Sequence, residues 1–274
     1  MTSVTGTHLN GCPRTSGGSR PAVVVTDLDG TLLQPDSTLS GRTVAALRAV
    51  AAQGTHIVFA TARPYWSARE VLSAVSGLGA FLVSSNGAVV SDLDSGDVRR
   101  IRAMTPATVR AEIAVVGQRP WAVDREHDRL LGPGWPDILA SGYGTVRHVD
   151  DVPDGSPVLC LMVHTDPGGR LPTLGVRGAV RWTSSGPGLL EVSAPEADKV
   201  SAVTSIFADL GVGWQQVVAF GDASNDVGLL AAAGLGVAVA NASADVRGVA
   251  DALTARNDED GVAAWLEGMC LCHV

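Results

Sequence analysis

"VVVTDLDGTLL" occupies Val23 to Leu33. Its opening run of β-branched apolar residues reads as a strand buried on both faces, the kind that lies inside a parallel sheet. Two carboxylates follow at once, Asp27 and Asp29, directly before Gly30. Strand side chains alternate between faces, so residues two apart point the same way. Their charges repel unless something lies between them.

Working outward from this strand, Ser40 to Gly54 carries Val44, Leu47 and Ala51 at helical spacing and ends at a glycine. "HIVFATAR" (His56 to Arg63) reads as a second buried strand, Pro64 to Val75 as a helix, and "AFLVSSNGA" (Ala80 to Ala88) as a third strand. This β-α-β-α-β order predicts an α/β fold with a Rossmann-like, doubly wound parallel sheet. After Asn86-Gly87 the alternation stops. A hairpin is expected around Ser95-Gly96, then a helix from Pro106 to Gly117, and then short strands such as Pro157 to Asp166 between many Gly and Pro residues. Doubly wound order resumes with a helix from Pro195 to Leu210, the strand Gln216 to Asp222, a helix from Asn225 to Ala233 and the strand Gly236 to Ala240. Residues 1–20 are therefore expected to be a disordered extension. Residues 21–87 and 190–274 form a discontinuous core domain, and residues 88–189 an inserted α+β domain.

Length and composition agree with that division. A chain of 274 residues, 46% hydrophobic and 18% charged, is globular and can build a large core. A net charge of −8 argues against sequence-independent nucleic-acid binding, which needs a cationic surface. No uninterrupted apolar run reaches the length of a membrane span. Cys12, Cys160, Cys270 and Cys272 lack metal-ligand or disulfide-framework spacing and read as reduced thiols of a cytoplasmic protein.

In open parallel sheets, ligands collect outside the carboxyl ends of the strands. Asp27, Asp29, Thr61, Asn86, Asp222, Asn225 and Asp226 all stand at such ends, so segments far apart in sequence are expected to meet on one rim. An Asp-x-Asp alone is a weak signal, because paired aspartates also make turns or bind calcium. After a buried strand, before Gly-Thr, and combined with a distant Gly-Asp-x-x-Asn-Asp, it points to phosphoryl chemistry.

With "DLDGTLL" at Asp27 to Leu33, "ATAR" at Ala60 to Arg63, "SSNGA" at Ser84 to Ala88, Lys199 and "GDASNDVGLL" at Gly221 to Leu230, the chain resembles the haloacid dehalogenase superfamily of aspartate-nucleophile phosphatases. The endings "GVAVANASADVRGVAD" and "NDEDGVAAWL" are similar to its Cof-like branch. The resemblance covers both core segments in order and matches the insert in position and size only, implying a type II α/β cap. It implies Asp27 as nucleophile, forming an aspartyl-phosphate, and Asp29 as acid and then base. It implies Mg²⁺ held by Asp27, the backbone carbonyl of Asp29 and Asp222, with Asp226 around the metal's waters. Lys199 would meet phosphate, where a cation in a helix's first turn opposes the dipole unless an anion faces it. Thr61 would donate to phosphate or cap the following helix, and Asn225 would touch phosphate or water. Arg63 and Asn86 would face substrate or pin strand ends. Ala62 and Gly228-Leu229 depart from the branch's commoner residues, without removing a catalytic group.

The implied activity is hydrolysis of a small phosphomonoester, a sugar phosphate first among them, by a monomer or homodimer. A phosphomutase or phosphotransferase with the same nucleophile, and a non-catalytic magnesium- or phosphate-binding regulator, are the alternatives. Trp121, Trp135, Tyr143 and Trp182 either stack on a sugar or fill the cap's core. His127, His148 and His164 are not read as ligands.

Overall fold

The computed structural model describes residues 20–136, 145–165, 173–186 and 188–271. Tyr143, Cys12, Cys272 and residues 1–19 of the expected extension lie outside them. In chain order, the first elements are β1 (Val23–Thr26), α1 (Gly41–Ala52), β2 (His56–Ala60), α2 (Tyr65–Val71), β3 (Phe81–Ser84), β4 (Val89–Asp92) and β5 (Val98–Ile101). Next come α3 (Pro106–Val116), β6 (Trp121–Asp124), β7 (Arg129–Leu131), β8 (Val146–His148), β9 (Cys160–His164), β10 (Gly175–Arg177), β11 (Val180–Gly186) and β12 (Leu189–Ser193). The chain continues with α4 (Lys199–Leu210), β13 (Val217–Gly221), α5 (Val227–Ala232), β14 (Leu235–Ala238), α6 (Ala244–Val249), β15 (Ala252–Leu253) and α7 (Gly261–Leu271).

Among the described residues, eight strands form one sheet in the order β15-β14-β13-β1-β2-β3-β4-β5. The run from β15 to β3 is parallel throughout. β1 lies inside it, with Val23, Val24 and Val25 wholly inaccessible. Each contributes about 1.5–3 kcal/mol through burial, which is why the stretch tolerates no polar residue before Thr26. The first crossover helix starts where Ser40 accepts a hydrogen bond from the Thr43 amide, 3.0 Å away, and it turns Ala46, Leu47 and Val50 onto the sheet.

The hairpin is where the expected boundaries change. β4 pairs antiparallel with β3, and β5 with β4, so residues 89–101 extend the first sheet rather than opening the insert. The loss of βα alternation predicts a change of domain here, but a strand that turns back at once finds its nearest partner in the strand it has just left. At the return, β12 runs to Ser193 inside the second sheet, beyond the expected boundary at residue 190.

That second sheet has the order β10-β11-β12-β9-β6-β7-β8, antiparallel except for the β7–β8 pair. Both of its faces bury apolar residues, Val123 and Leu161 on the side of α3 and Ala122 and Met162 on the other, around Trp135. In β12, Leu190 and Val192 pack with Val109 and Val116 of α3 and with Trp182, while Glu191 and Ser193 fall on the opposite face. Trp121, Trp135 and Trp182 are all buried, and the Trp182 Nε1 donates to Glu112 at 3.2 Å. No helix among the described residues is long and apolar enough to cross a membrane.

Candidate functional site

From β1 the chain steps outward through β2 and β3; from β13 it steps the other way through β14 and β15. β1 and β13 are therefore the neighbours at which strand order reverses, and a crevice opens beyond their carboxyl ends. Thr26 pairs with Phe220, and the Asp27 amide donates to the Phe220 carbonyl at 3.1 Å. Asp27 and Asp222 thereby emerge side by side. Gly30 lies against them with φ +75°, and a Cβ there would stand 2.5 Å from Asp222 Oδ2, so only glycine lets the loop pass. The Thr31 hydroxyl donates to Asp222 Oδ1 at 2.8 Å, and Asn241, after β14, donates to the Gly30 carbonyl at 2.7 Å.

Two further charges complete the cluster. Asp226 accepts from the amides of Asp222 and Ala223 through Oδ2, at 3.1 and 3.2 Å. Lys199 begins α4, just after its N-cap Asp198, and its buried ammonium donates to Asp27 Oδ1 at 2.6 Å and Asp226 Oδ1 at 2.7 Å. These two anions answer the objection of a cation at a helix N-terminus.

Burial raises the Asp27 carboxyl well above the usual range; Lys199 pulls it down, and Asp226 and Asp222 add to the rise. For Lys199, burial opposes the charge, yet Asp226 and Asp27 outweigh it and hold the ammonium firmly protonated. Burial pushes Asp222 up to about 6 against the bond from Thr31, with Asp226 contributing to the rise. Oxygens of Asp27, Asp222 and Asp226 lie within 4.8 Å of one another. Hard oxygens converging beside a glycine that leaves room for Asp222 suit a divalent cation that prefers oxygen ligands.

A carboxyl with a raised folded pKa adds stability below its unfolded value, and that stability is lost as pH rises through about 6 for Asp222. A divalent cation reverses this, because it binds the ionised form and must displace the proton at low pH. The rise in Tm on adding saturating Mg²⁺ is expected to be several degrees larger at about pH 7.5 than at about pH 5. Equal shifts at both values, by scanning calorimetry, would show that these carboxyls do not take the ion.

The remaining sequence-predicted residues form a second ring. Asp29 is half-exposed, and both its oxygens accept from Arg63, at 2.7 Å from Nε and 2.6 Å from the terminal nitrogen. Arg63 also donates to the hydroxyls of Ser37 and Ser67, so it is tied to Asp29 and this loop. The buried Thr61 hydroxyl accepts from the Arg63 amide at 3.0 Å and bends the chain after β2; it does not cap α2, whose N-cap is Pro64. Asn225 donates to Asn86 Oδ1 at 3.0 Å, and Asn86 donates to Glu191 Oε2 at 2.6 Å. Asn86 thus spans from the core rim to β12, using the left-handed φ of 53° that asparagine tolerates. Thr31, Asn241 and Glu191 were not anticipated from sequence. Asn241 stands just beyond a strand's carboxyl end, the signal that marked the others, whereas Glu191 sits mid-strand and carried none.

A family model described as haloacid dehalogenase-like hydrolase matches residues 24–124 and 173–266. The chain belongs to the haloacid dehalogenase-like hydrolases. It is similar to a 5-amino-6-(5-phospho-D-ribitylamino)uracil phosphatase of Bacillus subtilis, at 28% identity over 88% of this chain and 92% of that one. An HMP-PP phosphatase of Escherichia coli is 28% identical over 81% of this chain and 85% of its own length. The solved structure of a haloacid dehalogenase-like hydrolase from Bacteroides thetaiotaomicron shares the fold, with a TM-score of 0.78 and 24% identity over 91% of this chain and 99% of that one. The chain is thus an enzyme of the haloacid dehalogenase-like hydrolase family, and its two curated relatives named above are phosphatases.

Proposed function

We propose that the chain is a magnesium-dependent phosphatase of a small phosphorylated metabolite, a sugar or polyol phosphate, acting through an aspartyl-phosphate on Asp27. The observation that carries this reading is the buried Asp27 carboxylate at the sheet's switch point, with Lys199 bridging it to Asp226 and Asp222 alongside. The relative whose named substrate bears a phosphorylated ribityl chain supports the substrate class. Asp27, Asp222 and the Asp29 backbone carbonyl would hold Mg²⁺, with Asp226 behind them; the ion's chemistry is to neutralise phosphate charge as the carboxylate approaches.

A carboxylate oxygen of Asp27 attacks phosphorus, and the bond from phosphorus to the substrate oxygen breaks. Asp29 gives that oxygen a proton as it departs. Asp29 then takes a proton from water, the resulting hydroxide attacks the phosphorus of the aspartyl-phosphate, and phosphate leaves with the Asp27 carboxylate restored. Arg63, bidentate on the ionised Asp29, is a positioning residue that holds this side chain in the resting site and must release it before Asp29 takes up the proton it gives the leaving oxygen. Lys199 offsets charge on the transferring group, and Thr61 and Asn225 donate to its oxygens.

Phosphate release from a panel of sugar, polyol and nucleotide monoesters tests the reading. Release is expected only with Mg²⁺ supplied, and Asp29→Asn should lower kcat on alkyl esters by about 10²–10⁴-fold. Folded protein that releases nothing from any member, or Asp29→Asn acting at the wild-type rate, would overturn it.

A further inference from the structure

Lys199 is the first residue of α4, so its ammonium can sit between Asp27 and Asp226 only if that helix begins at one fixed place. Its side chain is 1% exposed, so the packed stem has no free rotamer with which to make good a displaced backbone. We propose that Gly87 and Asp198 are positioning residues for Lys199: together they fix the start of α4, and with it the distance of the cation from the transferring phosphoryl group. The inference rests on the phosphatase reading above, in which Lys199 offsets charge on that group.

Three observations carry it. Gly87, where the chain passes from β3 to β4, has φ +98° and lies directly against the backbone of Asp198. A Cβ there would overlap the Asp198 carbonyl oxygen and stand 2.5 Å from its carbon and 3.0 Å from the Asp198 nitrogen. Backbone atoms do not swing aside as the end of a side chain does. That same oxygen accepts the first bond of α4, from the Ala202 amide at 3.1 Å, so a side chain at position 87 pushes on the helix start itself.

Asp198 closes the helix with its own side chain. Oδ1 accepts from the Ser201 amide at 2.8 Å, and Oδ2 from the Ser201 hydroxyl at 2.7 Å. The segment that enters α4 is also held from two sides. Arg100 of β5 donates to the Glu196 carbonyl at 3.0 Å, and Arg181 of β11 donates to the Pro195 carbonyl through Nε and a terminal nitrogen, at 3.0 and 2.7 Å. The approach to α4 is thus tied to both sheets, and a shift forced at Asp198 passes onward to Lys199.

The test measures Mg²⁺-supported hydrolysis of p-nitrophenyl phosphate. Gly87→Ala is expected to lower kcat by about 10²-fold, the effect of misplacing a catalytic group by about 1 Å. Asp198→Ala loses the cap and should lower kcat by about tenfold. Asp198→Asn keeps the acceptor and should stay within about twofold of wild type, which also separates the cap from the Asp198 charge that stands 3.9 Å from Arg181. A double-mutant cycle reads the coupling: added to Lys199→Ala, either damaging substitution should change kcat by less than about threefold, because the cation it positions is already gone. Losses that multiply in full, Asp198→Asn as slow as Asp198→Ala, or a folded Asp198→Ala at the wild-type rate would each overturn the inference. The Asp198 variants decide the matter even if Gly87→Ala fails to fold. Wild-type protein inactive on this ester, or Lys199→Ala at the wild-type rate, removes both readings; a large loss in Lys199→Ala with a multiplicative cycle removes the positioning alone.

Discussion

Asp27→Asn is expected to lower kcat by on the order of 10⁴-fold or more, while the protein still folds. An amide oxygen is a poor nucleophile toward phosphorus, and no other carboxylate takes the place that the β1 terminus assigns to Asp27. Asp226 shares Lys199 with Asp27 but is held by the amides of Asp222 and Ala223. Folding should survive because Lys199 keeps Asp226, and the asparagine oxygen can still accept from it. The substitution also removes a buried carboxyl whose burial raised its proton affinity, so Tm should hold or rise at neutral pH. Steady-state kinetics beside a thermal melt checks both halves. A folded variant within tenfold of the wild-type kcat would remove Asp27 as nucleophile.

Lys199→Ala is expected to act on both stability and rate. Lys199 is 3% exposed, and its two partners, Asp27 and Asp226, are 5% and 0% exposed. Removing the ammonium leaves two facing carboxylates without their cation, which costs about 3–5 kcal/mol when one partner of a buried pair is lost. For a chain of this size that lowers Tm by on the order of 10 °C. Mg²⁺ should restore part of the loss by binding the same carboxylates, while kcat stays about 10²–10³-fold down because charge on the transferring phosphoryl group is no longer offset. A Tm within about 2 °C of wild type would show that the bridge contributes little to stability.

Asp27, Asp222 and Asp226 were legible in sequence because their signal is local. Each follows a run of buried apolar residues, and a strand's carboxyl end is where an open sheet collects polar groups. Lys199 was singled out by the family resemblance, and its place in a first turn, unfavourable without an anion, supported that reading. The parallel core was legible from βα alternation, and α1 from the helical spacing of Val44, Leu47 and Ala51.

What the tertiary structure decided is which polar group meets which. Arg63 was equally compatible with substrate and with a structural role, and its pairing with Asp29 depends on how two neighbouring loops approach across the rim. Glu191 had no local mark, because a lone acid in a strand can face solvent as readily as a cavity. Only the antiparallel order that sets β12 between β11 and β9, above Asn86, turns it toward the site. The hairpin of residues 89–101 joined the core sheet through strand pairing, which composition does not encode. Burial and periodicity are properties of a segment and can be read from it, whereas a hydrogen bond depends on the positions of two segments. For this chain the sequence determined the sheet, its crossover helices and the carboxylates at its rim. The tertiary structure alone decided how Asp29 is held, which sheet residues 89–101 join, and which acid meets Asn86.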